Sequence, residues 1–399
     1  MVATRLAPFG STVFSEITAL ARRHRAVDLG QGYPSFEGPE FVKEAAVEAI
    51  RRRSNQYPPS IGIEDLRMAI ADRWLRDTSM TIDTDRHVTV TSGCTEALAA
   101  SFVGLLEPGD EVVIFEPAYD AYPVVCALSG AVPRYVTLHG PDFHFDEREV
   151  RAAVGSRTRA IVVNTPHNPT GRVFGREEME LVAGLCVEHD LVAITDEVYE
   201  RIVYDGTHIR MATLPGMWER TLTLSSIGKS FSLTGWKTGW AVGPEALTEG
   251  VRAAHQFLTF TTPNPMQHGA AAALRAPDSY YDDLREGYRR RRDLLAGELD
   301  RVGFGVSVPE GAYYVLADHR PFGFADDVAF VEHLISEIGV AAIPPSAFYH
   351  GSDEGRNLVR FAFCKDDDVL RSAVARLERL AGTSPGKRRE SGRRERGTS

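Results

Sequence analysis

Lysine is nearly missing from this chain. Five of its 399 residues are lysine (Lys43, Lys229, Lys237, Lys365 and Lys387), so forty of the 45 basic residues are arginine. Cysteine is scarce too. Cys94, Cys126, Cys186 and Cys364 stand far apart with no C-x-x-C pair, which argues against a disulfide frame or a cysteine-ligated zinc site. The twelve histidines show no metal-ligand spacing, so no metal is expected. No run approaches the roughly 18 apolar residues that span a bilayer. The N-terminal MVATRLAPFGSTVF has no apolar signal core. Positive charge is in deficit: a net charge of −10 argues against a nucleic-acid or anionic-membrane surface. A soluble cytoplasmic protein is the expectation. Against these absences stand 43% hydrophobic residues over a length sufficient for two domains and a large core.

The order of elements points to an α/β fold. Between residues 86 and 243, short β-rich runs alternate with helical patterns: RHVTVTSG then CTEALAASFVGLL, DEVVIFEP then a Tyr-rich turn, TRAIVVNTP then REEMELVAGLCVEHD, followed by LVAITDEVY, TLTLSS and WAVGP. These strands are continuous apolar runs, as expected when helices cover both faces of a mostly parallel sheet. A long Arg-rich helix, YYDDLREGYRRRRDLLAGELDRVG, leads to a smaller α+β pattern. The expected division is an N-terminal arm with part of the small domain (1–40), a large domain (41–285), a small C-terminal domain (286–382) and a disordered, Gly/Ser/Arg-rich tail (383–399).

In a chain that otherwise uses arginine, SSIGKSFSLTGWKTGW holds two lysines eight positions apart. Unlike arginine, lysine can lose its proton and attack a carbonyl to form a Schiff base. The plain alternative for Lys229 is a surface loop lysine. Ser226 three positions before it and Lys237 eight after it suit a cofactor bearing both an aldehyde and a phosphate, which pyridoxal 5′-phosphate does. Such a cofactor needs a carboxylate beside its ring nitrogen. AITDEVY places Asp196 at the end of an apolar strand with Tyr199 three residues on, although acidic residues there also serve as helix caps. Asn168 in NTPHNPTG could bond a ring oxygen or simply make an N-P turn. SGCTEAL opens a helix directly after a strand, which makes Thr95 and the amides of Cys94 and Thr95 candidate phosphate donors. Glu96 reads equally well as a first-turn helix stabiliser.

Taken in order, GQGYP, NQYPPSIG, SGCTEAL, EPAYDAY, NTPHNPTG, TDEVY, SSIGKSFSLTGWKTGW and VRFAFCK resemble the fold-type I pyridoxal-phosphate aminotransferases of class I/II over roughly residues 10 to 380. TDEVYERIVYDG, TLPGMWERTLT and AIPPSAFY look most like the kynurenine, glutamine and methionine aminotransferase group. The resemblance implies a large domain with a seven-stranded-type, mostly parallel sheet between helices, plus a smaller α+β domain. It implies a ping-pong aminotransferase moving an amino group from an L-amino acid to a 2-oxo acid through a Schiff base on Lys229, which also carries the proton between substrate and cofactor. By the same resemblance Asp196 pairs with the ring nitrogen, and Asn168 and Tyr199 bond the ring oxygen. Tyr119 stacks on the ring, while Ser226, Lys237, Thr95 and Cys94 hold the phosphate. Tyr57 reaches that phosphate from a neighbouring subunit, so a homodimer sharing its active sites is expected. Arg360 clamps the substrate carboxylate and Gly32 lets the backbone approach the substrate, with Phe14 and Phe260 beside it. Tyr122 reads as core packing.

Three departures bear on the substrate. Phe14 stands where kynurenine-type enzymes often carry tryptophan, and Thr261 where a histidine or aromatic residue can occur. Cys94 occupies a position usually held by Gly or Ala. No clear second arginine awaits a dicarboxylate side chain. A β-lyase or a specialised biosynthetic enzyme on the same scaffold is the alternative, since the motifs serve both chemistries.

Overall fold

The computed structural model describes residues 2–10 and 12–382; the expected disordered tail lies outside the described residues. The large sheet has seven strands in the order Val88–Thr91, Gly239–Val242, Thr221–Ser226, Val192–Asp196, Thr158–Asn164, Glu111–Glu116 and Val132–Thr137. Its neighbours pair in parallel, except that Gly239–Val242 runs antiparallel to the strand on each side. The middle strands are buried almost throughout, which is why they read as unbroken apolar runs. The edge strand Val132–Thr137 is different. It alternates in exposure and contains Pro133, tolerable only where one side of the ladder is open. It therefore carries no apolar run, and the strand pattern in the sequence passes over it.

Helices seal both faces. Arg176–Glu188 starts where the Glu178 carboxylate reaches back 2.9 Å to the Gly175 amide, and it buries Met179, Val182, Ala183, Leu185 and Cys186. Full burial of each large apolar side chain contributes about 1.5–3 kcal/mol, so this stripe seats the helix more firmly than its cap. Helix Asp278–Val302 ends at Gly303 in a left-handed turn. Its start packs Tyr280 flat on Phe231 of the large unit, and its later turns bury Tyr288, Leu295 and Leu299 in the C-terminal core.

That core is built on a three-stranded antiparallel sheet, Leu358–Ala362, Tyr314–Asp318 and Gly305–Ser307. The N-terminal segment joins it: Val27–Asp28 pairs in parallel with Val340–Ala341, and Ile17, Ala21 and Leu29 share the core of Leu334, Ile335 and Ile343. The helix beginning at Asp327 continues through a π-helical stretch, Leu334–Ile338. Among the described residues no helix is long and apolar enough to cross a membrane. A cavity opens at the C-terminal ends of the parallel strands, as general for such sheets.

Candidate active site

A cavity of about 300 Å³ lies at those strand ends. Twelve of the residues expected in the site line it: Phe14, Gly32, Cys94, Thr95, Tyr119, Asn168, Asp196, Tyr199, Ser226, Lys229, Lys237 and Arg360. Tyr57 and Phe260 do not. They meet edge-on at 5.5 Å outside the cavity, and both are exposed.

Lys229 sits in the single helical turn Ile227–Ser230 that follows strand Thr221–Ser226. Its amine lies 5.6 Å from the ring centre of Tyr199 and 5.8 Å from that of Tyr313, with no carboxylate among the described residues in ion-pair contact. Burial lowers its pKa, outweighing the nearby Cys364, Asp196 and Cys94 that favour the ammonium. A lysine so placed gives up its proton more readily and becomes a nucleophile.

Asp196 ends strand Val192–Asp196 and is buried, yet among the described residues no cation pairs with it. Its oxygens accept from the Tyr122 hydroxyl at 3.0 Å, the Cys94 thiol at 3.5 Å and the Val198 amide at 3.3 Å, all neutral donors. Burial raises its pKa against those bonds and the Lys229 charge. A buried carboxylate with only neutral partners lacks a counter-charge, which a protonated ring nitrogen in the cavity would supply. The Cys94 thiol is itself pushed well up by burial and by Asp196, so it stays protonated and acts as a donor, not a nucleophile. Asn164, in the same stretch as Asn168, fixes the geometry further: its amide donates to the Asp196 carbonyl at 2.8 Å and its oxygen accepts from the Asn168 amide at 2.8 Å.

An anion corner lies beside them. Helix Gly93–Leu105 begins at Ser92 with no side-chain cap, leaving first-turn amides for a bound anion. Lys237 places its ammonium 3.4 Å from the Thr95 hydroxyl, and Ser226 lines the same end. Gly239 allows this approach: a Cβ there would stand 2.6 Å from the Gly93 carbonyl carbon and 2.7 Å from the Cys94 nitrogen. Glu96 turns away, accepting from the Ser92 amide and pairing with His255, each at 2.9 Å. It is the first-turn stabiliser and leaves the corner positive.

Arg360 closes the opposite end. It comes from strand Leu358–Ala362 and is buried, with guanidinium nitrogens donating to Asn168 Oδ1 at 3.2 Å and the Gly30 carbonyl at 2.7 Å. Its Nε is buried without a partner. The rings of Tyr314, Phe348 and Phe14 surround it at 4.4, 5.1 and 5.2 Å. No carboxylate among the described residues forms an ion pair with it, so the free positions suit an incoming one.

Sequence reasoning missed three contributors. Tyr122 does pack in the core, as expected, but its hydroxyl also serves Asp196. Tyr314 and Asn164 carried no signal of their own in the sequence. Elsewhere Glu197, Glu200 and His208 bring possible metal-ligand atoms within 4.8 Å of one another, but the Arg210 guanidinium binds both carboxylates and supplies the positive charge.

The family model described as aminotransferase class I and II matches residues 25–377. The chain is 46% identical over 392 residues to the probable N-succinyldiaminopimelate aminotransferase DapC of Mycobacterium tuberculosis, covering 96% of this chain and 99% of the relative. It is 37% identical to the methionine aminotransferase of Escherichia coli (94% and 98% covered) and 38% to human kynurenine–oxoglutarate transaminase 1 (91% and 94%). The solved structure of the M. tuberculosis N-succinyldiaminopimelate aminotransferase superposes with a TM-score of 0.93 at 46% identity, covering 95% of this chain and all of the other.

Proposed function

We propose, from the premise that this chain belongs to the class I and II aminotransferase family and is an aminotransferase, that it transfers an amino group from an L-amino acid to a 2-oxo acid in two half-reactions on pyridoxal 5′-phosphate. The observation that carries the cofactor is the buried, cation-less carboxylate of Asp196 facing Lys229 across a cavity with a positive anion corner. Bound there, pyridoxal 5′-phosphate supplies an aldehyde that captures an amine and a ring that withdraws electrons from the substrate α-carbon.

The chain's residues divide the remaining tasks. Lys237, Thr95, Ser226 and the first amides of helix Gly93–Leu105 hold the phosphate. Asp196 keeps the ring nitrogen protonated, its carboxylate oriented by Tyr122, Cys94 and Val198. Tyr199 and Asn168 would hold the ring oxygen, and Tyr119 would cover the ring face. Arg360 fixes the substrate carboxylate, which orients the α-carbon toward Lys229. The Lys229 amine, with its pKa lowered by burial, is placed to act as the base that would take the substrate's α-proton. Aromatic walls from Phe14, Tyr119 and Tyr314 limit water around these steps.

We further propose a homodimer whose interface uses the exposed apolar strip Tyr57, Phe257, Leu258 and Phe260, which would bring Tyr57 to the partner's phosphate. The four free cysteines suit a reducing, cytoplasmic compartment. The test is a panel of half-reactions. Single amino acids are mixed with the cofactor-loaded protein and loss of its visible band is followed. Methionine, glutamine, phenylalanine, kynurenine and, from the name of the mycobacterial relative, N-succinyl-diaminopimelate come first. Failure of every amino acid to change the band would refute the assignment of donor. Pyruvate and ammonia released without an oxo-acid acceptor would favour the β-lyase alternative.

A further inference from the structure

Tyr199, at the ring-oxygen end of the cavity, has a neighbour of its own kind. The Tyr314 hydroxyl lies 2.9 Å from the Tyr199 hydroxyl, and both side chains are buried. The bond joins the two halves of the molecule, since Tyr199 follows the large-sheet strand Val192–Asp196 and Tyr314 begins strand Tyr314–Asp318 of the small sheet. Gly32 presses on the same hydroxyl from the other side: a Cβ there would stand 2.1 Å from the Tyr314 oxygen. The glycine noted in GQGYP is thus required by this phenol. Tyr313 donates to the Gly32 carbonyl at 2.8 Å, and its oxygen also neighbours both phenols.

A phenol has one hydrogen, so the direction of the Tyr199–Tyr314 bond matters. Were Tyr199 the donor, its hydrogen would be spent on Tyr314 and lost to the cavity. Arg360, 4.4 Å from the Tyr314 ring centre, has no acceptor to offer. We infer that Tyr314 is a positioning residue of the reaction: its hydroxyl donates to Tyr199, which aims the Tyr199 hydrogen into the cavity at the cofactor's ring oxygen. Donation into the Tyr199 oxygen also polarises that hydroxyl and makes it the stronger donor. Burial pushes both phenols up, Tyr314 to about 12, so both keep their hydrogens across the physiological range. The inference rests on the pyridoxal-phosphate reading of the cavity.

The experiment compares wild type, Tyr314→Phe, Tyr199→Phe and the double variant, each loaded with pyridoxal 5′-phosphate and titrated with pH while the visible band is recorded. A donor at the ring oxygen stabilises the negative charge that is fullest once the cofactor-bound nitrogen has lost its proton. Weakening that donor moves the midpoint to higher pH. Tyr314→Phe is expected to raise it by roughly half a unit and Tyr199→Phe by more, and the double variant should match Tyr199→Phe alone because one residue acts through the other. An unchanged midpoint in Tyr314→Phe, or shifts that add in the double variant, would overturn the inference. If Tyr314→Phe does not fold, Gly32→Ala pushes the same hydroxyl aside; an upward shift supports the relay and no shift overturns it. A wild type that shows no titrating visible band would refute the cofactor reading itself, a result distinguishable from the others.

Discussion

Tyr122→Phe tests whether the structure has located the support of Asp196. The substitution keeps the ring, so the buried packing of this side chain is retained, and it removes one hydroxyl that donates to Asp196 Oδ2 at 3.0 Å. A hydrogen bond to a charged acceptor is worth about 1.5–3 kcal/mol, and one to a neutral acceptor about 0.5–1.5 kcal/mol. With cofactor bound, Asp196 faces a cation and is held as a carboxylate; without it, burial shifts its pKa upward. What reaches the cofactor affinity is the difference between the two bonds, roughly 1–1.5 kcal/mol, or about a tenfold weaker Kd. The sign of the pH effect also follows. The Tyr122 bond lowers the Asp196 pKa, so its loss raises that pKa further. Affinity that depends on the carboxylate is full above this pKa and is lost as pH falls through it, so the variant should begin losing cofactor at a higher pH than wild type. The assay is titration of the cofactor-free protein with pyridoxal 5′-phosphate at several pH values. A Kd within twofold of wild type at every pH would refute the reasoning and return Tyr122 to a packing role alone.

Four other outcomes are expected. Lys229→Arg should abolish turnover, because a guanidinium cannot lose its proton, whereas Lys237→Arg should retain much of it as a phosphate-binding cation; comparable losses in steady-state assays would contradict this division. Arg360→Lys gives up the planar fork in its aromatic box, and the substrate KM should rise roughly ten- to a hundredfold with a smaller change in kcat. For His255, burial lowers the pKa but the bonds to Glu96 and the Ser60 carbonyl outweigh it, so the folded value is raised. The stability from this pair is full below the unfolded pKa and declines as pH rises through the folded one, and His255→Gln should flatten that decline in denaturant melts at pH 6 and pH 9. Gly239→Ala forces a methyl against the Gly93 backbone and should cost roughly 1–3 kcal/mol in the same melts.

Much of the fold was legible because burial on both sides of a parallel sheet writes itself as apolar runs. One exception has a physical cause. Strand Val132–Thr137 has one open edge and alternating exposure, so no apolar run marks it.

The site divides along a similar line. Where the chemistry demands a residue type, the one-dimensional order sufficed. Lysine can serve as the amine, so Lys229 could be proposed from residue type and order, whereas Asp196 and Arg360 were carried mainly by the resemblance. Hydroxyls and amides are common and serve many ends, and their roles depend on what folding brings beside them. Tyr122 meets Asp196 across 74 positions, Tyr199 meets Tyr314 across 115 and Asn168 meets Arg360 across 192. The sequence by itself determined which atoms could do the chemistry. Only the tertiary structure decided which neutral partners aim them, because a hydrogen bond of 3 Å is made by packing and leaves no trace in the spacing of the chain.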